Sequence, residues 1–321
     1  MNDRRAVGLD LVRFAAAMMV VLAHVGVSNG LSFALPDAFA GLGGIGVSLF
    51  FALSGYLLWR PLVTGKPGLG AYAANRLARI LPAFWLACLV LVPLRGGNLL
   101  SYLVMLPDRG SPLGVIWTLQ AEVMFYVALP YLARIGRPLA VPIVGGLLSL
   151  ALELAIAGTP AHATVVESLL PVRFWAFAPG MVLAAWRPKT DWRWLIAGAA
   201  FLVVGVAYLP FTPGGGQYAD VPAVIGAGFI VGWGIQARPR GALLWSAGAA
   251  ISYGLYLWHL DLFRQLGDLG VPLTIAVASL SYVLLERPIL RWVKARTSGI
   301  RTPSEILEPG PRAIAAEAVA G

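Results

Sequence analysis

The chain is 321 residues long, 59% hydrophobic and only 12% charged, with a mean hydropathy of +0.77. Soluble domains carry about 25% charged residues, so these values exclude an ordinary soluble protein and point to one polytopic membrane domain in contact with the lipid bilayer. The net charge of +9 would suit nucleic acid, but the basic residues fall in short loops between apolar runs, where the membrane explains them without a nucleic-acid partner.

Ten spans are predicted, at roughly 8–28, 42–59, 80–94, 113–133, 139–157, 170–186, 194–209, 221–236, 243–263 and 270–286. The expected fold is all-α, a polytopic bundle of about ten transmembrane helices. With the N-terminus inside, the cytoplasmic segments hold 19 of the 24 basic residues. That bias requires an even number of spans and places both termini in the cytoplasm. The first apolar run contains Asp10 and Arg13 and lacks a small-residue cleavage site, so it reads as a retained helix rather than a signal peptide. The membrane domain is expected over 1–296, with a disordered cytoplasmic tail over 297–321 and no soluble domain fused to either end. One cysteine, Cys88, excludes an internal disulfide and a thiolate cluster. The three histidines are too widely spaced to give a metal signature, so no metal is expected.

The first span carries Asp10, Arg13 and His24 in GLDLVRFAAAMMVVLAH. Steps of 3 and 11 residues place all three near one helix face, with His24 about 16 Å beyond Arg13 along the axis. Arg or Asp inside a bilayer costs roughly 2.5–3.5 kcal/mol, so this face should meet protein or water. The plainer reading puts Asp10 and Arg13 together at the headgroups. In the second span, Ser54 and Gly55 of FFALSGYLL allow close approach by a helix or a ligand. Arg76 and Arg79, three residues apart at the cytoplasmic entry to the third span, share a face and form two guanidinium forks suited to phosphate. Positive-inside topology alone would also explain them.

Further along, Thr118, Glu122 and Tyr126 form an i, i+4, i+8 polar stripe in WTLQAEVMFY. A carboxylate inside a span marks a candidate site, unless it only neutralises a buried arginine. Ser252, Tyr256 and His259 repeat the pattern in ISYGLYLWH, where an interfacial aromatic belt is the competing explanation. Glu286 of ERP reads as structural. Together these stripes describe a bundle with a polar cavity, a basic cytoplasmic mouth and a deeper histidine. Two classes fit: an enzyme using a cytoplasmic phosphorylated donor, or a secondary transporter for an anion. Inverted repeats expected of many transporters are not evident.

In order, these blocks resemble the acyltransferase-3 family of bacterial integral-membrane O-acyltransferases, over about residues 8–294. They are the opening helix with Arg13 and His24 eleven residues apart, FFALSGYLL, the Arg76/Arg79 pair followed by ILPAFW, WTLQAEVMFY, SYGLYLWH and ERP. The chain departs from the family's pattern in the residues around Glu122 and in its short external loops, and the hydrolase-like domain that some relatives carry is not expected after the last span. The resemblance implies a multi-pass protein of the bacterial inner membrane. It would move an acyl group, often acetyl, from acyl-CoA to a hydroxyl on a glycan, a lipid-linked sugar or a small molecule. On that reading Arg13, Arg76 and Arg79 hold CoA phosphates and His24 is the general base, with formation of an acyl-His24 as the alternative route. Asp10 would steady Arg13, and Glu122 would orient His24 or bind the acceptor. Ser54, Tyr126, Tyr256 and His259 are expected to contact substrate, with tyrosine hydroxyls as candidate oxyanion donors. A flippase or transporter for an anionic or glycan-linked substrate is the alternative, and a non-catalytic partner in glycan assembly a third.

Overall fold

The computed structural model describes residues 7–27, 41–63, 68–105, 116–135, 172–208 and 220–297, with single positions at 140, 144 and 147. All secondary structure among the described residues is helical. The helices are α1 (Val7–Val27), α2 (Leu42–Val63), α3 (Leu69–Arg95), the short α4 (Leu99–Leu103) and α5 (Ile116–Ile135). A 3₁₀ turn, Val172–Phe177, leads into α6 (Ala178–Trp186), followed by α7 (Trp192–Tyr208), α8 (Asp220–Gln236) and α9 (Ala242–Leu266). The chain then runs through α10 (Gly270–Ser281), a π-helical turn at Tyr282–Glu286, and α11 (Arg287–Thr297).

Four helical stretches are long and apolar enough to cross a bilayer: Val7–Val25, Leu42–Trp59, Leu69–Leu94 and Ala242–Thr297. Three shorter apolar helices accompany them, at Trp175–Trp186, Trp192–Gly205 and Val221–Gln236. The span expected at 139–157 and the tail after 297 lie outside the described residues, apart from positions 140, 144 and 147.

One expected boundary moves. The third span was placed from residue 80, with Pro82 in its first turn, but α3 begins at Leu69 and carries Pro82 in its interior. The early turns hold Tyr72, Asn75, Arg76 and Arg79, which lower the local hydropathy and hide the helix from a sequence reading. Proline interrupts a helix by removing one backbone donor, and membrane helices tolerate it where neighbours supply polar contacts. Here the Tyr253 hydroxyl, from α9, donates to the Ile80 carbonyl at 2.9 Å beside that proline. Arg76 and Arg79 therefore stand about two to three turns inside a continuous helix rather than in an entry loop.

At the centre, α2 packs against α1, α5, α6 and α8, while α1 also packs on α9 and α8. The α2–α6 crossing is tight. A Cβ added at Gly180 would overlap the Ala52 carbonyl oxygen, and one added at Gly55 would overlap the Phe177 carbonyl oxygen. Gly55 is therefore a packing residue, and its neighbour Ser54 faces the other way, into a cavity. This contact makes a direct prediction. Gly180→Leu forces backbone apart where no side chain can yield, at a cost of about 3 kcal/mol or more. Size-exclusion profiles in detergent should show the variant aggregated; a monodisperse peak with wild-type melting would contradict the contact.

Candidate active site

The cavity opens between α1, α2, α3, α5 and α9 and, with the solvent space at its opening, measures about 770 Å³. Arg13 enters it from α1, Ser54 from α2, and Arg76 and Arg79 from α3. Thr118, Glu122 and Tyr126 enter together from α5, because residues four apart on a helix share a face. Ser252, Tyr253 and Tyr256 come from α9. Phe50, Phe51, Leu57, Leu58 and Ile80 give the cavity apolar walls.

Its electrostatics are unequal. Three guanidinium groups face one carboxylate, and among the described residues none of the three is held in an ion pair within 4.0 Å. Arg76 Nε is buried and carries no hydrogen bond. A buried donor without a partner is costly, so the arrangement suits an incoming anion with several acceptor oxygens. Glu122 is committed elsewhere. Its Oε1 accepts from Ser54 Oγ at 3.2 Å and from the Tyr126 hydroxyl. Neither bond uses Oε2.

The tyrosines differ in what they can still donate. Tyr126 commits its proton to Glu122, and Tyr253 commits its own to the Ile80 carbonyl. The Tyr256 hydroxyl pairs with Thr118 Oγ1, joining α9 to α5 at one end of the cavity. The cavity's side-chain donors left for an incoming anion are thus mainly arginine N–H groups.

His24 and His259 do not line the cavity. They meet beyond the end walled by Phe50 and Tyr256, with His24 Nδ1 3.2 Å from His259 Nε2 and ring centroids 4.8 Å apart. The Tyr256 ring, which does line the cavity, lies 6.1 Å from the His259 ring. His24 Nδ1 is also 2.8 Å from the Val20 carbonyl oxygen. A carbonyl only accepts, so that contact assigns the ring hydrogen to Nδ1 and leaves Nε2 as the bare nitrogen of the neutral ring. His24 is partly exposed, whereas His259 is wholly buried.

Asp10 stands at the opposite end of α1. Its Oδ2 accepts from Ser246 Oγ of α9 at 2.7 Å, which staples the two helices one turn from Arg13. Glu286 is buried in the π-helical turn and accepts from Ser281 Oγ at 3.3 Å. Among the described residues no cluster of three or more metal-binding side chains is found.

The helix periods thus gather Arg13, Ser54, Arg76, Arg79, Glu122, Tyr126 and Tyr256 around one cavity. The His24–His259 contact was missed by sequence reasoning. The two share the same apolar level of their helices, but only tertiary packing of α1 on α9 pairs them.

Comparison with known proteins agrees with this architecture. The model of the acyltransferase-3 family, described as an acyltransferase domain, matches residues 7–285. The exopolysaccharide production protein ExoZ of Rhizobium meliloti (strain 1021) is 30% identical over 309 residues, covering 81% of this chain and 94% of that protein. Nodulation protein 10 of Rhizobium leguminosarum bv. viciae is 26% identical over 367 residues, covering 90% of this chain and 94% of that protein. No solved structure matches the chain significantly. The family match runs through every helix that builds the cavity and through both histidines, so this chain belongs to the acyltransferase-3 family and is a membrane acyltransferase.

Proposed function

We propose that the protein transfers an acyl group, acetyl in the first instance, from acyl-CoA to a carbohydrate hydroxyl at the bacterial inner membrane. The observation that carries this reading is the cavity whose three arginines hold no ion pair among the described residues, with Tyr256 of its lining packed beside the His259–His24 pair. CoA presents a diphosphate and a further phosphate, which planar guanidinium forks bind well. The cavity mouth would face the cytoplasm, where acyl-CoA resides, with both termini on that side and the catalytic unit spanning 1–296. The apolar walls suit the pantetheine arm. His24 lies about 16 Å along α1 from Arg13, deep enough for an extended arm to bring the thioester toward it.

In the proposed reaction, His24 Nε2 takes the acceptor hydroxyl proton as that oxygen attacks the thioester carbonyl. The C–S bond then breaks and the departing sulfur takes the proton from His24, giving an O-ester and free CoA thiol. Glu122 Oε2 would hold the acceptor. The similarity to an exopolysaccharide production protein of Rhizobium meliloti supports a carbohydrate acceptor here.

The test uses membranes carrying the protein, given acetyl-CoA labelled in the acetyl group. Alkali-labile label on carbohydrate, with an equal release of thiol, is the expected result. Label crossing the membrane without thiol release would overturn the reading in favour of transport. Glu122→Gln gives a signed prediction on the same preparation. Removing the one carboxylate from an arginine-lined cavity should tighten acyl-CoA binding by about three- to tenfold while acceptor KM rises. Weaker donor binding would show that the arginines do not hold the CoA phosphates.

A further inference from the structure

The two histidines are not equivalent. His259 is 0% exposed, and both of its ring nitrogens are occupied. Its Nδ1 faces the Tyr256 carbonyl oxygen at 2.9 Å and the Leu255 carbonyl oxygen at 3.2 Å. Carbonyls only accept, so Nδ1 carries the ring hydrogen and Nε2 is bare. That bare Nε2 is the atom 3.2 Å from His24 Nδ1, which the Val20 carbonyl has already assigned as N–H. An acceptor therefore faces a donor, and the His24 proton is shared between a carbonyl of its own helix and an imidazole from α9. Only one ring nitrogen of the pair has no partner among the described residues, and it is His24 Nε2.

We propose that His259 is a positioning residue for His24, its Nε2 acting as the neutral acceptor that fixes the ring and backs the imidazolium formed when Nε2 takes a proton. The inference rests on the proposed role of His24 as base. It replaces the substrate-contacting role expected for His259 by an indirect one. The logic is that of a carboxylate behind a catalytic histidine: the acceptor behind Nδ1–H strengthens as the ring becomes cationic. Here the acceptor is an imidazole clamped by two backbone carbonyls and flanked by Phe263, whose ring lies 5.8 Å away. The clamp explains why an otherwise flexible side chain can hold a second ring in place. The carbonyls lie three and four residues before it on α9, so the helix itself dictates the tautomer.

Two measurements test this. In the full-length protein in nanodiscs, His259→Phe keeps an aromatic ring but removes the acceptor, while His259→Gln returns an acceptor near the Nε2 position. The Phe variant should lose about ten- to hundredfold in kcat with donor affinity unchanged, and Gln should recover most of that loss. If both variants are equally slow while binding acyl-CoA as wild type does, the acceptor is not what His259 supplies and the proposal falls. If His24→Ala is inactive but His259→Phe runs at the wild-type rate, the proposal falls alone and the base assignment stands. If His24→Ala stays fully active, the base assignment itself fails and the proposal goes with it.

The second measurement needs no variant to fold. The chain has only three histidines, so ¹⁵N-histidine labelling gives three ring-nitrogen pairs. A coupling across the hydrogen bond between His24 Nδ1 and a non-protonated His259 Nε2 is the expected signature. A protonated His259 Nε2 in the resting enzyme would overturn the assignment.

Discussion

His24→Ala should lower acyl transfer by about a hundred- to ten-thousandfold while leaving acyl-CoA affinity unchanged. The range is that of a lost general base. Two structural facts separate this residue from donor binding. His24 lies outside the cavity lining, beyond the end marked by Phe50 and Tyr256, and its Nδ1 is tied to Val20 and His259 rather than to any cavity residue. Its removal therefore touches no arginine. Thiol release measured against acetyl-CoA concentration reads both quantities together. A fall in rate with unchanged half-saturation is the expected pattern. A rise in half-saturation with an unchanged maximal rate would make His24 a binding residue instead.

The second large effect is expected at Arg76 and Arg79. Each charge-assisted bond to a phosphate is worth about 1.5–3 kcal/mol, so each Ala substitution should weaken acyl-CoA binding by about ten- to hundredfold. The double variant should show no saturable binding at accessible concentrations. Two controls sharpen the prediction. Lysine at either position keeps the charge but loses the planar fork, so it should restore affinity only in part. Added salt should weaken wild-type binding, and its effect should shrink in each single variant as one paired charge disappears. Wild-type affinity in the double variant would remove the arginines from donor recognition.

Helix periodicity made much of this site readable before any fold was known. Arg13 and His24 share a face because 3.6-residue spacing fixes it, and Thr118, Glu122 and Tyr126 line the cavity for the same reason. The start of α3 was not readable. Tyr72, Asn75, Arg76 and Arg79 make its first turns look like a loop, and only packing shows that a helix continues through them. Ser54 and Gly55 were read together as small residues. Their opposite roles, one lining the cavity and one against the Phe177 backbone, depend on where α6 lies. The pairing of His24 with His259 spans 235 residues, and no local pattern encodes it. The hydroxyl of Tyr253 was equally opaque. Its partner, the Ile80 carbonyl, could be identified only from the fold, whereas the Tyr126 contact with Glu122 follows from their spacing of four.

On this reading the arginine-lined cavity holds acyl-CoA, and chemistry occurs at the histidine pair behind Tyr256. Its most direct test is calorimetric titration of acetyl-CoA into the nanodisc-embedded wild type, with the Arg76→Ala/Arg79→Ala double variant and His24→Ala titrated alongside. Saturable binding to wild type and to His24→Ala, with loss in the double variant, is the expected result. Failure of acetyl-CoA and longer acyl-CoAs to bind the folded wild type, or equal binding to all three proteins, would contradict the account.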